Sequence, residues 1–461
     1  MHEFFGGAVP PVKFKPPARP IHCRCPNPSV KSLKIVFLFL CILFLMLLGS
    51  VTWAGSTIST LRKIQASRRI QAAVWLFTFA QIGGLAYITL MRSGQPETGL
   101  PIPRPFLAAI FFWHVLALPI FLTSRITTSV ITYAAKVARF FLGRSDRNVS
   151  DDSTDCSDIT QQPDGVSRRL FLGLAAQSSP ALITIVSTPI SQWQLEQFRV
   201  RRLSMLLPQL PAELDGLTVA HVSDTHVGRF TRGAILERIV ETTNALDADF
   251  VLFTGDLINF SLGDLPIGIE LLKGIRARHG IFACEGNHDL MQNGDLFRDH
   301  MNGASLGLLT NEAASVLVHG HRVQIMGLPW GEAPMARNSA GNRRDSLHKS
   351  LVTKISAKSD PDAFRILLAH HPHVFDHAHD FPLTLSGHTH GGQLMLSQNI
   401  GGGPSLYRYW SGIYQQEGRA LCVSNGVGNW FPIRVGAPAE IVHLTLKSAA
   451  LKAEPTQRPS A

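Results

Sequence analysis

The run from Ile35 to Trp53 carries no charged side chain over its 19 residues. That is close to the ~20 residues needed to cross a ~30 Å hydrocarbon layer. Lipid offers no partner to backbone N–H and C=O groups, so such a segment crosses as a helix. Ala72 to Met91 is a second candidate span, and Phe106 to Leu122 is a third. Pro119 interrupts the third, which a membrane helix tolerates when neighbours re-satisfy the freed groups. Ile126 to Phe141 places Lys136 and Arg139 about one turn apart and reads as an amphipathic surface helix. Membrane helices are therefore expected over 35–142. Residues 143–167, with Asp151, Asp152, Asp155 and Asp158, read as a polar acidic linker.

Arg168 and Arg169 then precede a modest apolar stretch of small residues that ends near Ile190. Two readings of 168–191 stand side by side, a twin-arginine export signal or anchor and a fourth membrane helix. Both leave the arginine pair inside and the following domain on the extracytoplasmic side. With four spans the N-terminus is outside too, and the inside loops carry Arg62, Lys63, Arg68 and Arg69. Against this count, the basic, proline-rich tail of residues 1–34 falls on the wrong side. That tail and residues 451–461 hold too little apolar surface to fold alone.

The formal net charge is +10 over 461 residues. Many basic residues flank apolar runs, so membrane topology explains the balance. No basic stripe interleaved with aromatics points to nucleic acid. None of the six cysteines pairs into zinc-knuckle spacing. Cys284 and Cys422 lie in strand-like apolar runs and read as core residues.

From about residue 210 to 450 the texture changes. Apolar runs of strand length recur at Leu217–Val222, Phe250–Phe253, Ile281–Cys284, Val323–Leu328, Phe364–Ala369, Leu383–Leu385, Ala420–Val423 and Ile441–Leu446. Gly233 to Leu246 reads as a helix with Ile235, Ile239 and Leu246 on one face. Helices alternate with strands early and strands dominate late, which predicts a layered α/β sandwich with two sheets.

Five polar clusters each follow one of these strands: Asp224-Thr225-His226, Gly255-Asp256, Gly286-Asn287-His288-Asp289, His370-His371-Pro372 and Gly387-His388-Thr389-His390. Loops at one edge of an α/β sheet converge, and rigid strands hold them there. Carboxylate, imidazole and amide oxygen are hard to borderline metal ligands, and no thiolate joins them. Asp-x-His and His-x-His, taken as extended, put both side chains on one side. Among the neighbours, His371 and His373 compete with His370 as ligand. His221 reads as a core histidine. Arg229 and Arg434 stand at loop edges, where a guanidinium suits phosphate geometry but is more commonly solvated.

The five clusters in this order resemble the signature of the calcineurin-like metallophosphoesterase superfamily. The stretches Gly387–Gln393, Ser411–Tyr414 and Pro432–Gly436 resemble its membrane-anchored branch, in which transmembrane helices precede the domain. The resemblance implies a four-layer αββα sandwich preceded by transmembrane α-helices. It implies two divalent ions (Mn²⁺, iron or Zn²⁺), one held by Asp224, His226 and His390, the other by Asn287, His370 and His388, with Asp256 bridging. A metal-bridging hydroxide would attack phosphorus, and His288 would act as general acid on the leaving oxygen. The substrate would be a phosphodiester or phosphomonoester, with lipid-linked and nucleotide substrates favoured by the anchor. A non-catalytic metal-binding receptor or scaffold is the competing reading.

One position departs from the phosphoprotein-phosphatase pattern Gly-Asp-x-x-Asp-Arg-Gly. Asn259 stands where an Asp orients the catalytic histidine. Asp289, beside His288, is the expected compensation.

Overall fold

A computed structural model describes residues 30–93, 103–142, 168–331 and 340–449. The expected tails and the acidic linker fall outside the described residues, apart from a few at their edges. The N-terminal part is helical: α1 (Val30–Lys63), α2 (Arg68–Ser93), α3 (Arg104–Phe111), a π-helical turn (Phe112–Ala117), α4 (Leu118–Leu142) and α5 (Arg168–Leu195). Four helical stretches are long and apolar enough to cross a membrane: Leu40–Lys63, Arg68–Thr89, Arg104–Phe140 and Phe171–Leu195.

One sequence expectation changes here. Ile126–Phe141 is not a separate surface helix but the continuation of the third span. At 1.5 Å per residue, Arg104–Phe140 is about 55 Å long, well beyond a ~30 Å hydrocarbon core. The end carrying Lys136 and Arg139 can therefore lie past the apolar layer. Pro119 sits just after the π-helical turn, where the ladder is already irregular. α5, which covers 168–191, is packed into the bundle, as either reading of that stretch allows. Trp53 Nε1 donates to the Gln177 carbonyl at 2.8 Å, and Ser56 Oγ and Thr57 Oγ1 donate to Gln177 Oε1. Trp53, Phe77 and Trp113 interlock edge-to-face, with Trp53 and Trp113 centroids 4.7 Å apart.

The C-terminal part has thirteen strands among the described residues: β1 (Phe198–Leu207), β2 (Thr218–Val222), β3 (Phe250–Thr254), β4 (Ile281–Cys284), β5 (Glu312–Val318), β6 (His321–Gly327), β7 (Phe364–Leu368), β8 (Leu383–Ser386), β9 (Met395–Ser397), β10 (Ile400–Gly401), β11 (Gly412–Gln416), β12 (Arg419–Val423) and β13 (Ala439–Ser448). One sheet has the order β1-β13-β2-β3-β4, the other β11-β12-β8-β7-β6-β5, and β9–β10 is a hairpin. The helices of this part are α6 (Ala234–Asn244), α7 (Leu265–Gly274), α8 (Gly294–Gly303), α9 (Ala340–Ser356) and the short α10 (Gly402–Leu406).

Four layers result. Val219, Phe250 and Leu252 of the first sheet meet Ile325, Ile366 and Leu385 of the second in the central core. The other face of the first sheet is covered by Ile239 of α6, Leu272 of α7 and Phe297 of α8. Val352 and Ile355 of α9 cover the far face of the second against Met326 and Leu367. The strands β2, β3, β4, β7 and β8, which precede the five clusters, run so that those clusters emerge along one edge of the sandwich.

That edge is tied to the membrane helices. Arg434 N donates to Ser191 Oγ at 3.0 Å, Gln192 Nε2 to the Pro432 carbonyl at 3.1 Å, and Asn429 Nδ2 to the Leu195 carbonyl at 3.0 Å. Phe431, Ile433 and Val435 pack against Ala108, Phe111 and Phe112.

Candidate active site

The clusters are not extended, contrary to the sequence expectation. Asp224, His226, Asp256, His388 and His390 all adopt positive φ, between 45° and 72°. Non-glycine residues avoid this region, and holding one there costs of order 1–3 kcal/mol. Each strand end turns sharply, and the turns rather than a pleat aim Asp-x-His and His-x-His inward. Close approach makes glycine obligatory at 387. A Cβ there would lie 2.0 Å from Ser223 Oγ and 2.2 Å from Asp224 Oδ2. The Gly387–His388 peptide instead hydrogen-bonds to the carboxylate, with His388 N donating to both Asp224 oxygens at 3.1 Å.

Three overlapping groups have ligand atoms within 4.8 Å of one another: Asp224–His226–His390, His226–Asp256–His288 and Asp256–His370–His388. His390 Nε2 is 3.2 Å from Asp224 Oδ1, and His226 Nε2 is 3.0 Å from His390 Nε2. Asp256 Oδ2 is 3.5 Å from His226 Nε2 and 3.1 Å from His370 Nε2. Asp256 thus stands between the two halves of the site. Asn287 and His288 join Asp256, His388 and His390 in lining a cavity of about 180 Å³, together with Tyr407 and Trp430.

The donor set fits cations. Asp224 and Asp256 are buried, and among the described residues the side-chain nitrogens within 4.0 Å of their oxygens are those of histidines, not Lys or Arg. A buried carboxylate needs a positive partner or neutralisation. His370 Nδ1 donates to the Thr254 carbonyl at 2.6 Å, which points Nε2 at Asp256. Although it approaches Asp256, His370 Nε2 makes no hydrogen bond of acceptable geometry, and neither does Asn287 Oδ1. A ring oriented by a carbonyl, with its other nitrogen free, is the usual arrangement of a metal-binding histidine. Burial alone would lower the His370 pKa. The Asp256 and Asp224 carboxylates and the Thr254 carbonyl outweigh it and raise it to about 9. For His388, burial and the His370 charge prevail, and its pKa falls to about 3.

The structure answers the Asn259 question differently from the sequence reading. His288 Nδ1 donates to the main-chain carbonyl of Asn259 at 2.5 Å. The Asn259 amide reaches only the Trp430 carbonyl, at 3.5 Å. Asp289 does not orient His288. Its carboxylate accepts from the backbone N–H groups of Asp256 and Gly286 at 2.9 Å and of Ile258 at 3.1 Å. It ties the Asp256 turn to the Asn287 turn. Burial and the Asp256 charge push its carboxyl up to about 8.

His371 lies beside His348 and His388, with ring centroids 4.8 and 5.1 Å away, and does not join the three ligand groups. His221 is a buried histidine hydrogen-bonded to Thr254 Oγ1 at 2.8 Å, as its strand context predicts. Arg434 is not the solvated loop-edge arginine that the sequence suggests. It is fully buried and spent on the carbonyls of Asn425, Gly428 and Ala437 and on Asn429 Oδ1, with Nη2 3.2 Å from His390 Nδ1. Arg229 offers its carbonyl to Arg104 of α3.

Sequence reasoning missed Trp330, whose ring centroid lies 5.0 Å from that of His388 and 5.5 Å from that of His370, with Arg344 stacked over it at 4.3 Å. It also missed Glu285, buried in an ion pair with Arg298 and accepting from Trp330 N. Glu285 directly precedes Gly286-Asn287, the one local signal available.

Comparison with known proteins now adds to the geometry. Residues 217–392 match the calcineurin-like phosphoesterase family. An uncharacterised metallophosphoesterase of Helicobacter pylori is 28% identical over 253 residues, 54% of this chain and 64% of the relative. The match thus spans somewhat under two thirds of that relative's length. The UDP-2,3-diacylglucosamine pyrophosphatase LpxG of Chlamydia trachomatis is 27% identical over 59% of this chain and 97% of its own. The transmembrane protein with metallophosphoesterase domain of Bos taurus is 27% identical over 88% of each chain, a stretch that extends into the membrane helices.

Proposed function

Because residues 217–392 form a calcineurin-like metallophosphoesterase domain, the fold of metal-dependent phosphoester hydrolases, we propose that this chain is a membrane-anchored hydrolase of phosphodiester or phosphomonoester bonds that works with two divalent ions. The observation that carries the reading is the buried Asp256 carboxylate between two sets of convergent ring nitrogens, beneath a cavity. Asp224, His226 and His390 would hold one ion, Asn287, His370 and His388 the other, and Asp256 both. Bound there, two divalent ions lower the pKa of water and clamp phosphate oxygens.

The chain's own groups do the rest. The Asn259 carbonyl holds His288 Nδ1 and fixes the ring at the cavity wall. His288 can then deliver a proton from its other nitrogen to the leaving oxygen. The name of the chlamydial relative favours a lipid-linked diphosphate among the candidate substrates. The helix ends remote from the domain carry Arg62, Lys63, Arg68 and Arg69, which supports an extracytoplasmic domain by the positive-inside rule.

The test is turnover of soluble aryl phosphodiesters and monoesters by the full chain in detergent, with Asp256→Asn as control. Turnover with added metal, lost in the variant, is expected. No turnover with metal bound would favour the receptor or scaffold reading. Impermeant labelling of a cysteine placed at Glu417 in intact cells reads sidedness.

A further inference from the structure

The sixteen residues from Gly391 to Leu406 contain no Asp, Glu, Lys, Arg or His. They form the β9–β10 hairpin and the short α10. Three of their large side chains point out of the domain: Leu396 is 86% exposed, Leu406 74% and Ile400 61%. Apolar side chains scattered singly on a surface mean little. Several together on an uncharged hairpin mark a contact surface.

What covers that surface follows from where it is rooted. Leu394, two residues before Leu396, packs with Ala108, Phe111, Phe112 and Ile433. Phe111 lies seven residues into α3, about 10 Å along the third span. The hairpin therefore leaves the domain beside a membrane helix, below that helix's polar start. If α3 crosses a bilayer from its polar start, that bilayer lies against the root, and no second protein chain is needed to explain leucines at this level. The same hairpin reaches the chemistry. Gly392, Gln393 and Leu406 line the cavity with His388 and His390, and Trp430, itself 39% exposed, lines the facing wall.

We infer that the β9–β10 hairpin and α10 insert into the leaflet next to the domain and form a lateral gate through which an amphiphilic phosphoester enters the cavity from the membrane. The acyl chains stay against Leu396, Ile400 and Leu406, and the phosphoester reaches the Asp256 edge without leaving the interface. This rests on the phosphoesterase reading and names its substrate class: a lipid-linked phosphoester of the same leaflet, not a free nucleotide.

Two measurements on the full chain test it. In the first, the photo-crosslinking residue p-benzoylphenylalanine replaces Leu396, Ile400 or Leu317 in protein reconstituted into phosphatidylcholine–phosphatidylglycerol vesicles. Leu317 is the control, an exposed leucine (68%) on β5 near the end that leads away from the clusters. Crosslinks to phospholipid at 396 and 400, about tenfold above those at 317, are expected. Equal labelling at all three positions overturns the inference. In the second, Leu396→Asp/Ile400→Asp is compared with the parent on an aryl phosphodiester in solution and on a diacylglycerol-linked aryl phosphodiester embedded in the vesicles. The vesicle rate should fall about tenfold or more while the solution rate stays within twofold. An unchanged vesicle rate overturns the inference, as does an equal loss on both substrates. A parent chain inactive on both substrates would defeat the hydrolase reading, and the crosslinking would then decide the hairpin alone.

Discussion

Asp289→Ala removes one carboxylate that accepts from three backbone N–H groups, those of Asp256, Ile258 and Gly286, at 2.9–3.1 Å. Each buried donor left unpaired costs about 1–3 kcal/mol. Water entering the vacated space recovers part of this, so the net loss should be about 3–6 kcal/mol, concentrated where the Asp256 and Asn287 turns are joined. If all of it falls on the metal-loaded state, an affinity loss of about a hundredfold or more follows, at 1.4 kcal/mol per decade. Asn259→Ala should behave differently. It keeps the carbonyl that holds His288 and gives up only a 3.5 Å contact to Trp430, so activity should fall less than about threefold. The assay pairs thermal unfolding and metal content of each purified full-length variant with its turnover. Low kcat in Asp289→Ala with normal stability and full metal would mean that Asp289 acts on His288 after all. A larger loss in Asn259→Ala than in Asp289→Ala would refute the reasoning outright.

Other outcomes follow from the same geometry. His288→Gln should lower kcat by about 10²–10⁴-fold on substrates with poor leaving groups and far less on a nitrophenyl ester, with metal content unchanged. Gly387→Ala drives a methyl group into Ser223 Oγ and the Asp224 carboxylate and should abolish metal retention while the membrane helices stay folded, as read by helical circular dichroism. Arg434→Met leaves the Asn425, Gly428 and Ala437 carbonyls without their guanidinium. It should cost about 3–5 kcal/mol, as breaking a buried charged network does, and lower the unfolding temperature. Arg434→Lys should not rescue it, because one ammonium cannot span those acceptors.

How much of this was legible in the sequence depended on how one-sided each element is. Ile281–Cys284 was read to the residue, and the edges of the other seven runs moved by at most two positions. These strands are buried on both faces and appear as continuous apolar runs. β1 escaped because Phe198-Arg-Val-Arg-Arg-Leu interleaves arginines, two of which pair with the buried Glu440 240-odd residues away. β5 escaped because one face is exposed, and α7 and α8 because each has only ten residues. The convergence of the five clusters was legible because each lies within a few residues of a strand end. Their conformation was not, since the positive φ at Asp224 and His390 occurs where distant segments pack closely, Gly426 against Asp224 and Asn425 against Gly391. Nor were the supports, because Thr254 holding His370 and Arg434 beside His390 are long-range facts.

The claim that most needs testing is that Asp256 joins two cation sites in one centre. Elemental analysis of the purified full chain, alongside Asp256→Asn and Asn287→Ala, tests it directly. About two divalent ions per parent chain are expected, about one in Asn287→Ala, and loss from both sites in Asp256→Asn, with turnover following occupancy. Full turnover by a parent chain holding a single ion, or two ions retained in Asp256→Asn, would contradict it.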